Sequence, residues 1–432
     1  MKISGWGRYP ETDSCQHFFH SEEEVTTQLS THKSGIARGL GRSYGDSSLA
    51  NNIYNSTQFN HFIHFDEDNG ILVCESGVSL GEIIDCLLPR GWFLAVTPGT
   101  KFVTIGGAIA SDVHGKNHHH DGCFSEFIHS IRLLLPDGSI ASCSKTENTD
   151  LFHATCGGMG LTGIILEASI QLIPVTSSYI KQKTIKAHNL KEIFDFFEEH
   201  EKSKYSVAWL DCMATQNNIG RSLLMLGEHD TEHGLACKHK GSKSIPFDMP
   251  AFTLNKYSVK AFNFLYYNRI TQQQKDDTID LNTFFYPLDN IHHWNRLYGK
   301  NGFTQYQCVI PKESGYEGMK QILELISEHK KGSFLSVLKL LGPENANWLS
   351  FPKEGYTLAL DFKMDNTLLE FLSKLDRITE EHEGRIYLTK DSRMSSEFFK
   401  KSYPHFNLFT EYREHTSANK VFNSLQSKRL GL

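Results

Sequence analysis

Two glycine-rich segments constrain this chain more than any other feature: ARGLGRSYGD at 37–46 and VTPGTKFVTIGGAIASDVHGKNH at 96–118. Each sets glycines and small hydroxylated residues between short apolar runs, so that backbone N–H groups can approach an anion without a Cβ in the way. A pyrophosphate suits that pattern. A third run, GMGLTG at 158–163, matches the dinucleotide fingerprint, but in that fold the glycines follow a strand and open a helix, with an acid about twenty residues on for the ribose. Here IILEASIQLIP follows at 164–174, β-branched and stopped by proline, and no acidic residue stands near 183. A Rossmann arrangement is therefore not expected.

At 432 residues the chain is too long for one core, so two domains are expected. A formal net charge of -6 gives no general attraction to nucleic acid. The nine cysteines (Cys15, Cys74, Cys86, Cys123, Cys143, Cys156, Cys212, Cys237 and Cys308) are odd in number and show no C-x-x-C pair, which argues against a disulfide framework or a four-cysteine zinc site and for a reducing compartment. Residues 1–6 lack the apolar core of a secretory signal, and no apolar run approaches the roughly eighteen residues of a membrane span. The expectation is a cytoplasmic protein.

Up to Pro174 short β-branched runs alternate with glycine turns, at 70–75, 128–135 and 164–173, and SLGEIIDCLL at 79–88 reads as a capped helix, with serine three residues before glutamate. Beyond it helical patterns at 190–200 and 319–330 interleave with strands at 205–211, 303–310 and 357–362. This is α+β organisation with a boundary near Pro174. The histidines of HGKNHHH at 114–120 invite a metal reading, but no carboxylate or cysteine completes a ligand set. No metal is expected, and His119 and His120 are read as surface residues.

With SGWGRYP at 4–10 and GRIYLTKDSR at 384–393, the glycine segments make the chain resemble the vanillyl-alcohol-oxidase-type FAD oxidoreductases. Within them it is most similar to flavoproteins that oxidise the 2′-hydroxyl of a polyprenyl-phosphoryl ribose to a ketone. The likeness runs from Gly5 to the region of Arg393. It implies a two-domain fold: an FAD-binding part over 1–175, a substrate cap on an antiparallel sheet over 176–384, and a return to the FAD-binding part and active site over 385–432. It further implies that Arg38, Gly39, Gly41, Arg42, Ser43, Tyr44 and Gly45, then Gly99, Thr100, Thr104, Gly106, Gly107 and Ser111, line the FAD, joined by Gly163 and Ile164. Many relatives carry a histidine at the place of Tyr44 and bond it to the flavin; with tyrosine there, FAD is expected to be dissociable.

The resemblance places His114 by the reactive part of the flavin, Lys116 towards substrate, and Lys390 and Tyr387 at the flavin and the sugar. A lysine in IYLTK costs desolvation unless an anion partners it; taken as a strand, the segment brings Tyr387 and Lys390 to one site only through a bend. Lys390 could serve as a neutral base or as a cation beside the reduced flavin. In the cap, Gln305 and Gln307 share a strand face by period two, as a pair of hydroxyl readers requires. Trp209, Tyr298 and Lys339 join them as substrate residues by resemblance. Mycobacterial members carry cysteine where this chain has Ala359, and asparagine where it has Thr357, so neither is needed here if the activity is shared.

The expected reaction is hydride transfer from the sugar to FAD, with a nicotinamide-dependent short-chain reductase completing an epimerisation and a quinone or oxygen accepting electrons. Lysines in ACKHKGSK at 236–243 beside Phe247, Met249, Phe252 and the aromatics of 262–267 suit peripheral contact with an anionic inner-membrane surface as well as a solvated loop. Two other readings stay open: oxidation of a free sugar, alditol or aldonolactone, and a non-catalytic flavin-binding protein.

Overall fold

A computed structural model describes residues 1–236, 243–250 and 252–432. Near the N-terminus, β1 (Cys15–Phe18), β2 (Ile36–Arg38) and β3 (Asn52–Asn55) form a parallel sheet in the order β1-β3-β2. The first glycine segment is the link from β2 towards β3.

An antiparallel sheet follows, built around one long strand. It comprises β4 (Phe62–Asp66), β5 (Ile71–Glu75), β6 (Trp92–Leu94), β7 (Ile128–Leu134), β8 (Ile140–Cys143) and β9 (Ile164–Pro174). They pair in the order β8-β7-β9-β5-β4, and β6 joins the end of β9. Along β9, Leu166, Ala168, Ile170 and Leu172 are buried and the residues between them are less so, the alternation of a strand with one face in a core. Against that core sit α1 (Leu80–Leu87), with Ser79 and Glu82 in a reciprocal cap, and α2 (Ile105–Ala110), which carries the second glycine segment past β9. The GMGLTG run lies after a helix, Thr149–Thr155, and before β9, the reverse of the Rossmann order.

The large sheet has eight strands: β10 (Tyr179–Ala187), β11 (Tyr205–Leu210), β12 (Ser222–His229), β13 (Gln274–Asp280), β14 (Phe303–Pro311), β15 (Ser336–Leu341), β16 (Gly355–Lys363) and β17 (Arg385–Ile386). All pairings are antiparallel, in the order β13-β10-β12-β11-β15-β16-β14-β17. Helices α3 (Leu190–Glu199), α4 (Lys256–Asn268), α5 (Gly315–Glu328) and α6 (Leu368–Glu381) accompany it. Every residue of β14 is buried, because both of its faces are covered. Tyr306, Cys308 and Ile310 meet α3, α5 and α6 in one apolar cluster, which leaves Gln305 and Gln307 on the opposite face.

The C-terminal helices bring the chain back to the first glycine segment. Arg429, in the helix Leu425–Leu430, bonds both oxygens of Asp46 at 2.8 and 3.1 Å and Asp391 at 2.7 Å. Both carboxylates are buried and each is satisfied through the same guanidinium. Replacing Arg429 by methionine should strip Asp46 of its cation and leave Asp391 only the Arg393 and Met394 amides and the Arg393 charge, lowering the unfolding free energy by about 3–5 kcal/mol, as read from urea titration; a loss under about 1 kcal/mol would show that the bridge contributes little.

Candidate active site

The site begins where β17 ends. After Ile386 the chain turns at once, the amides of Lys390 and Asp391 both donating to the Tyr387 carbonyl at 3.0 Å. Residues 387–390 are thus a turn and not a strand, and this turn is the bend that brings Tyr387 and Lys390 to one cavity. The Tyr44 amide donates to the Thr389 carbonyl at 3.0 Å. At Gly45 a Cβ would lie 1.8 Å from the Asp391 carbonyl oxygen, so only glycine lets the two segments touch. Gly45, expected to line the cofactor, therefore holds the wall from behind and does not line the cavity.

The cavity encloses about 1070 Å³, beyond the roughly 300–1,000 Å³ of an ordinary small-molecule site. From the first glycine segment it is lined by Arg38, Gly39, Gly41, Arg42, Ser43 and Tyr44, and from the second by Gly99, Thr100, Thr104, Gly106, Gly107, Ser111, His114 and Lys116. Gly163 and Ile164 at the start of β9 join them, as do Trp209, Gln305, Gln307, Lys339, Tyr387 and Lys390. Tyr298, expected to touch substrate, does not line it. Its ring stacks on Phe303 at 4.2 Å and its hydroxyl donates to Asp361 at 3.4 Å, one layer behind the wall. Arg38 is anchored at the wall, donating to the Ser4 carbonyl at 2.7 Å and to Ser48, and Arg42 stacks on Trp6 at 4.4 Å.

Around His114 the hydrogen bonds fix the tautomer. Gln307 Nε2 lies 3.1 Å from His114 Nε2 and 3.4 Å from Thr357 Oγ1, whose hydroxyl donates to the Cys308 carbonyl at 2.8 Å. Thr357 therefore accepts, the amide nitrogen faces both groups, and His114 Nε2 accepts as well, which leaves the ring proton on Nδ1. Burial, with Lys339 nearby, holds His114 neutral well below the usual histidine range. Tyr387 donates its hydroxyl to the Ser111 carbonyl at 2.9 Å and stacks on Phe351.

Four lysines line the cavity, Lys275 at its exposed edge and Lys116, Lys339 and Lys390 further in. Burial lowers Lys390 to about 8, against a raising effect of Asp361; burial and the Lys339 charge lower Lys116 to about 7; burial and the Lys390 charge lower Lys339 to about 7. Lys390 sits 4.0 Å over the Tyr44 ring. Asp361 is raised to about 7 by burial, although Gln305 Nε2 donates to it at 2.6 Å. Gln305 pairs with Asp361 across β14 and β16, and Gln307 with Ala359, so the carboxylate orients the amide that meets a ligand.

Sequence reasoning missed Asp361, although a carboxylate between Leu360 and Phe362 was the signal for it. It also missed Ser76 and Asp289, which line the cavity with no local motif to mark them. Of the histidines read as surface, His120 is exposed, but His119 is half-buried with Nε2 2.9 Å from the Ser203 carbonyl. Among the described residues no group of three or more His, Cys, Asp or Glu is placed to hold a metal ion.

The residues present fit FAD. Both glycine segments line the cavity, Gly99 has nothing within 4 Å of where a Cβ would stand, and Ser76 Oγ and His114 Nδ1 are buried without a hydrogen-bond partner. A polar ligand satisfies such atoms. The glycine segments and Ser76 would hold it, with Tyr387 and Lys390 at the far wall.

The comparisons with known proteins agree. A family described as FAD binding domain matches residues 20–144. The decaprenylphosphoryl-β-D-ribose oxidase of Mycolicibacterium smegmatis is 34% identical over 452 residues, covering 100% of this chain and 97% of that protein. An uncharacterised protein of Streptomyces coelicolor is 28% identical over 82% of this chain and 100% of its own length. A D-lactate dehydrogenase of Anaerostipes hadrus is 30% identical over 29% of this chain and 27% of its own. The chain belongs to the vanillyl-alcohol-oxidase-type FAD oxidoreductases, in the family of the decaprenylphosphoryl-β-D-ribose oxidase, enzymes that act on alcohol groups.

Proposed function

We propose that this enzyme oxidises the 2′-hydroxyl of a polyprenyl-phosphoryl ribose, or of a related glycosyl lipid, to the 2′-ketone. A nicotinamide-dependent reductase would then complete an epimerisation. In this reading residues 176–384 act as the cap over the flavin. What supports it most is the meeting of Gln305 and Gln307 with Lys390, Tyr387 and His114 in one cavity, in a chain similar end to end to an oxidase of decaprenylphosphoryl-β-D-ribose.

The chemistry that FAD supplies when bound is acceptance of hydride from C2′, with a quinone or oxygen as the later electron sink. The hydroxyl proton must go to the protein. His114 is a poor base, since Nε2 already accepts from Gln307 and Nδ1 carries the ring proton. Asp361 lies behind Gln305, occupied by its amide. Lys390, lowered to about 8, is left to take the proton as a neutral amine. The amides of Gln305 and Gln307 orient the sugar hydroxyls, and His114 Nδ1 donates to the ligand. Tyr44, with its ring under Lys390 Nζ and no imidazole nitrogen to offer, goes with dissociable FAD.

Under anaerobic conditions, a polyprenyl-phosphoryl ribose should bleach the flavin absorbance of the purified enzyme. Persistent colour with this lipid and bleaching by an alditol would favour the free-polyol reading instead. Lys390→Ala should retain FAD yet slow flavin reduction by about 10²–10⁴-fold. A neutral-base role makes the wild-type reduction rate rise with pH and level off above about 8, in stopped-flow; a rate that falls through the same range would assign Lys390 as a cation. Acid precipitation should release all of the yellow colour to the supernatant, whereas colour kept in the pellet would mean a covalent bond.

A further inference from the structure

Helix α4 carries its polarity reversed. Its inward face presents Val259, Asn263 and Tyr267, four residues apart and all buried. Asn263 donates to Asp211 Oδ1 at 2.7 Å, and the Tyr267 hydroxyl donates to the Ala187 carbonyl at 3.1 Å. These two polar bonds pin the rotation of the helix, and the Asn255 cap, accepting from the amides of Tyr257 and Ser258, pins its start. The outward face then shows Tyr257, Phe264 and Leu265 at 71%, 57% and 69% exposure, with Phe252 at 77% just before the cap. Surface helices ordinarily do the opposite, and large apolar side chains exposed together mark an interaction site.

The charge carried by the helix itself has one sign. From 249 to 275 the sequence contains no aspartate or glutamate, while Lys256, Lys260 and Arg269 lie on or beside the helix of a chain whose net charge is -6. The underside of the same helix is the rim of the cavity: Tyr266 packs against Trp209 with ring centroids 4.6 Å apart, Arg269 lies 3.9 Å over Tyr266, and Tyr266, Arg269 and Ile270 line the cavity. Among the described residues no helix is long and apolar enough to cross a membrane. A helix of 13 residues, about 20 Å long, with an apolar face flanked by cations, has the form of one that lies in a lipid interface.

We propose that the outer face of α4 docks on an anionic lipid surface and sets the cavity rim against the headgroups. In use this rests on the glycosyl-lipid reading, since it lets such a substrate reach Lys390 directly from the bilayer. Part of the segment first noted for membrane contact, residues 237–242, lies outside the described residues, and the surface proposed here does not depend on it.

The test is co-sedimentation of the FAD-loaded protein with phosphatidylcholine vesicles made with and without phosphatidylglycerol, in the absence of any sugar substrate. The wild type should bind the anionic vesicles, more weakly as salt rises. The double variant Phe264→Glu, Leu265→Glu should lose binding on the order of ten-fold or more, with FAD content and thermal unfolding unchanged because both side chains face solvent. Absence of wild-type binding to anionic vesicles would overturn the proposal, as would equal binding by the variant. So would a variant whose only change is a dimer turned to a monomer, since the face would then seat a second copy. Because no substrate is present, the failure of the sugar assignment and the failure of the docking surface are read separately.

Discussion

One guanidinium, from the last turn of the last helix, ties the catalytic turn to the first glycine segment. Arg429 joins Asp46 to Asp391, and the residue beside each carboxylate, Gly45 and Lys390, belongs to the wall of the cavity or to its immediate support. Removing a positive charge from between two buried carboxylates is costly in a way that losing a surface pair is not. The turn that carries Lys390 is thereby held from the far end of the chain, Arg429 and Asp46 standing 383 residues apart. The glycine at 45 is the steric half of the same constraint, since any side chain there would push the turn away.

The cavity so formed is short of negative charge. Lys116, Lys339 and Lys390 all face it; burial lowers each, helped by a neighbouring lysine charge at Lys116 and Lys339 and opposed by Asp361 at Lys390. Asp361 lies behind Gln305 and is itself pushed towards neutrality. Buried ammonium groups without counterions cost free energy, and a ligand carrying phosphates offsets that cost. The site is therefore arranged for an anionic occupant.

What the sequence made legible followed local rules. The Ser79–Glu82 cap, the alternation along β9 and the common face of Gln305 and Gln307 depend on near neighbours and on periods of two or 3.6. The failures came from tertiary geometry. Tyr387 and Lys390 needed a bend, the turn that the Tyr44 amide, Gly45 and the Gln426 side chain support from a distance. Tyr298 is aromatic and close in sequence to Gln305, yet the stack on Phe303 turns it behind the wall. Asp361 stood out as a carboxylate between apolar neighbours, but its role depends on the cross-strand register with Gln305, which the local sequence does not show. Family resemblance supplied most of the cavity residues, which spacing alone would not have joined.

Beside Gln307 on the same wall stands Ala359, and among the described residues lining the cavity there is no cysteine. The described thiols lie elsewhere, most of them in apolar cores. An electrophile entering this cavity meets amines, amides, hydroxyls, an imidazole and the thioethers of Met159 and Met225, but no thiol to capture it. Inhibitors that work by alkylating or otherwise trapping a pocket sulfur would have to bind here reversibly, and the chemistry of this cavity should persist through oxidative stress that would disable a thiol-lined one.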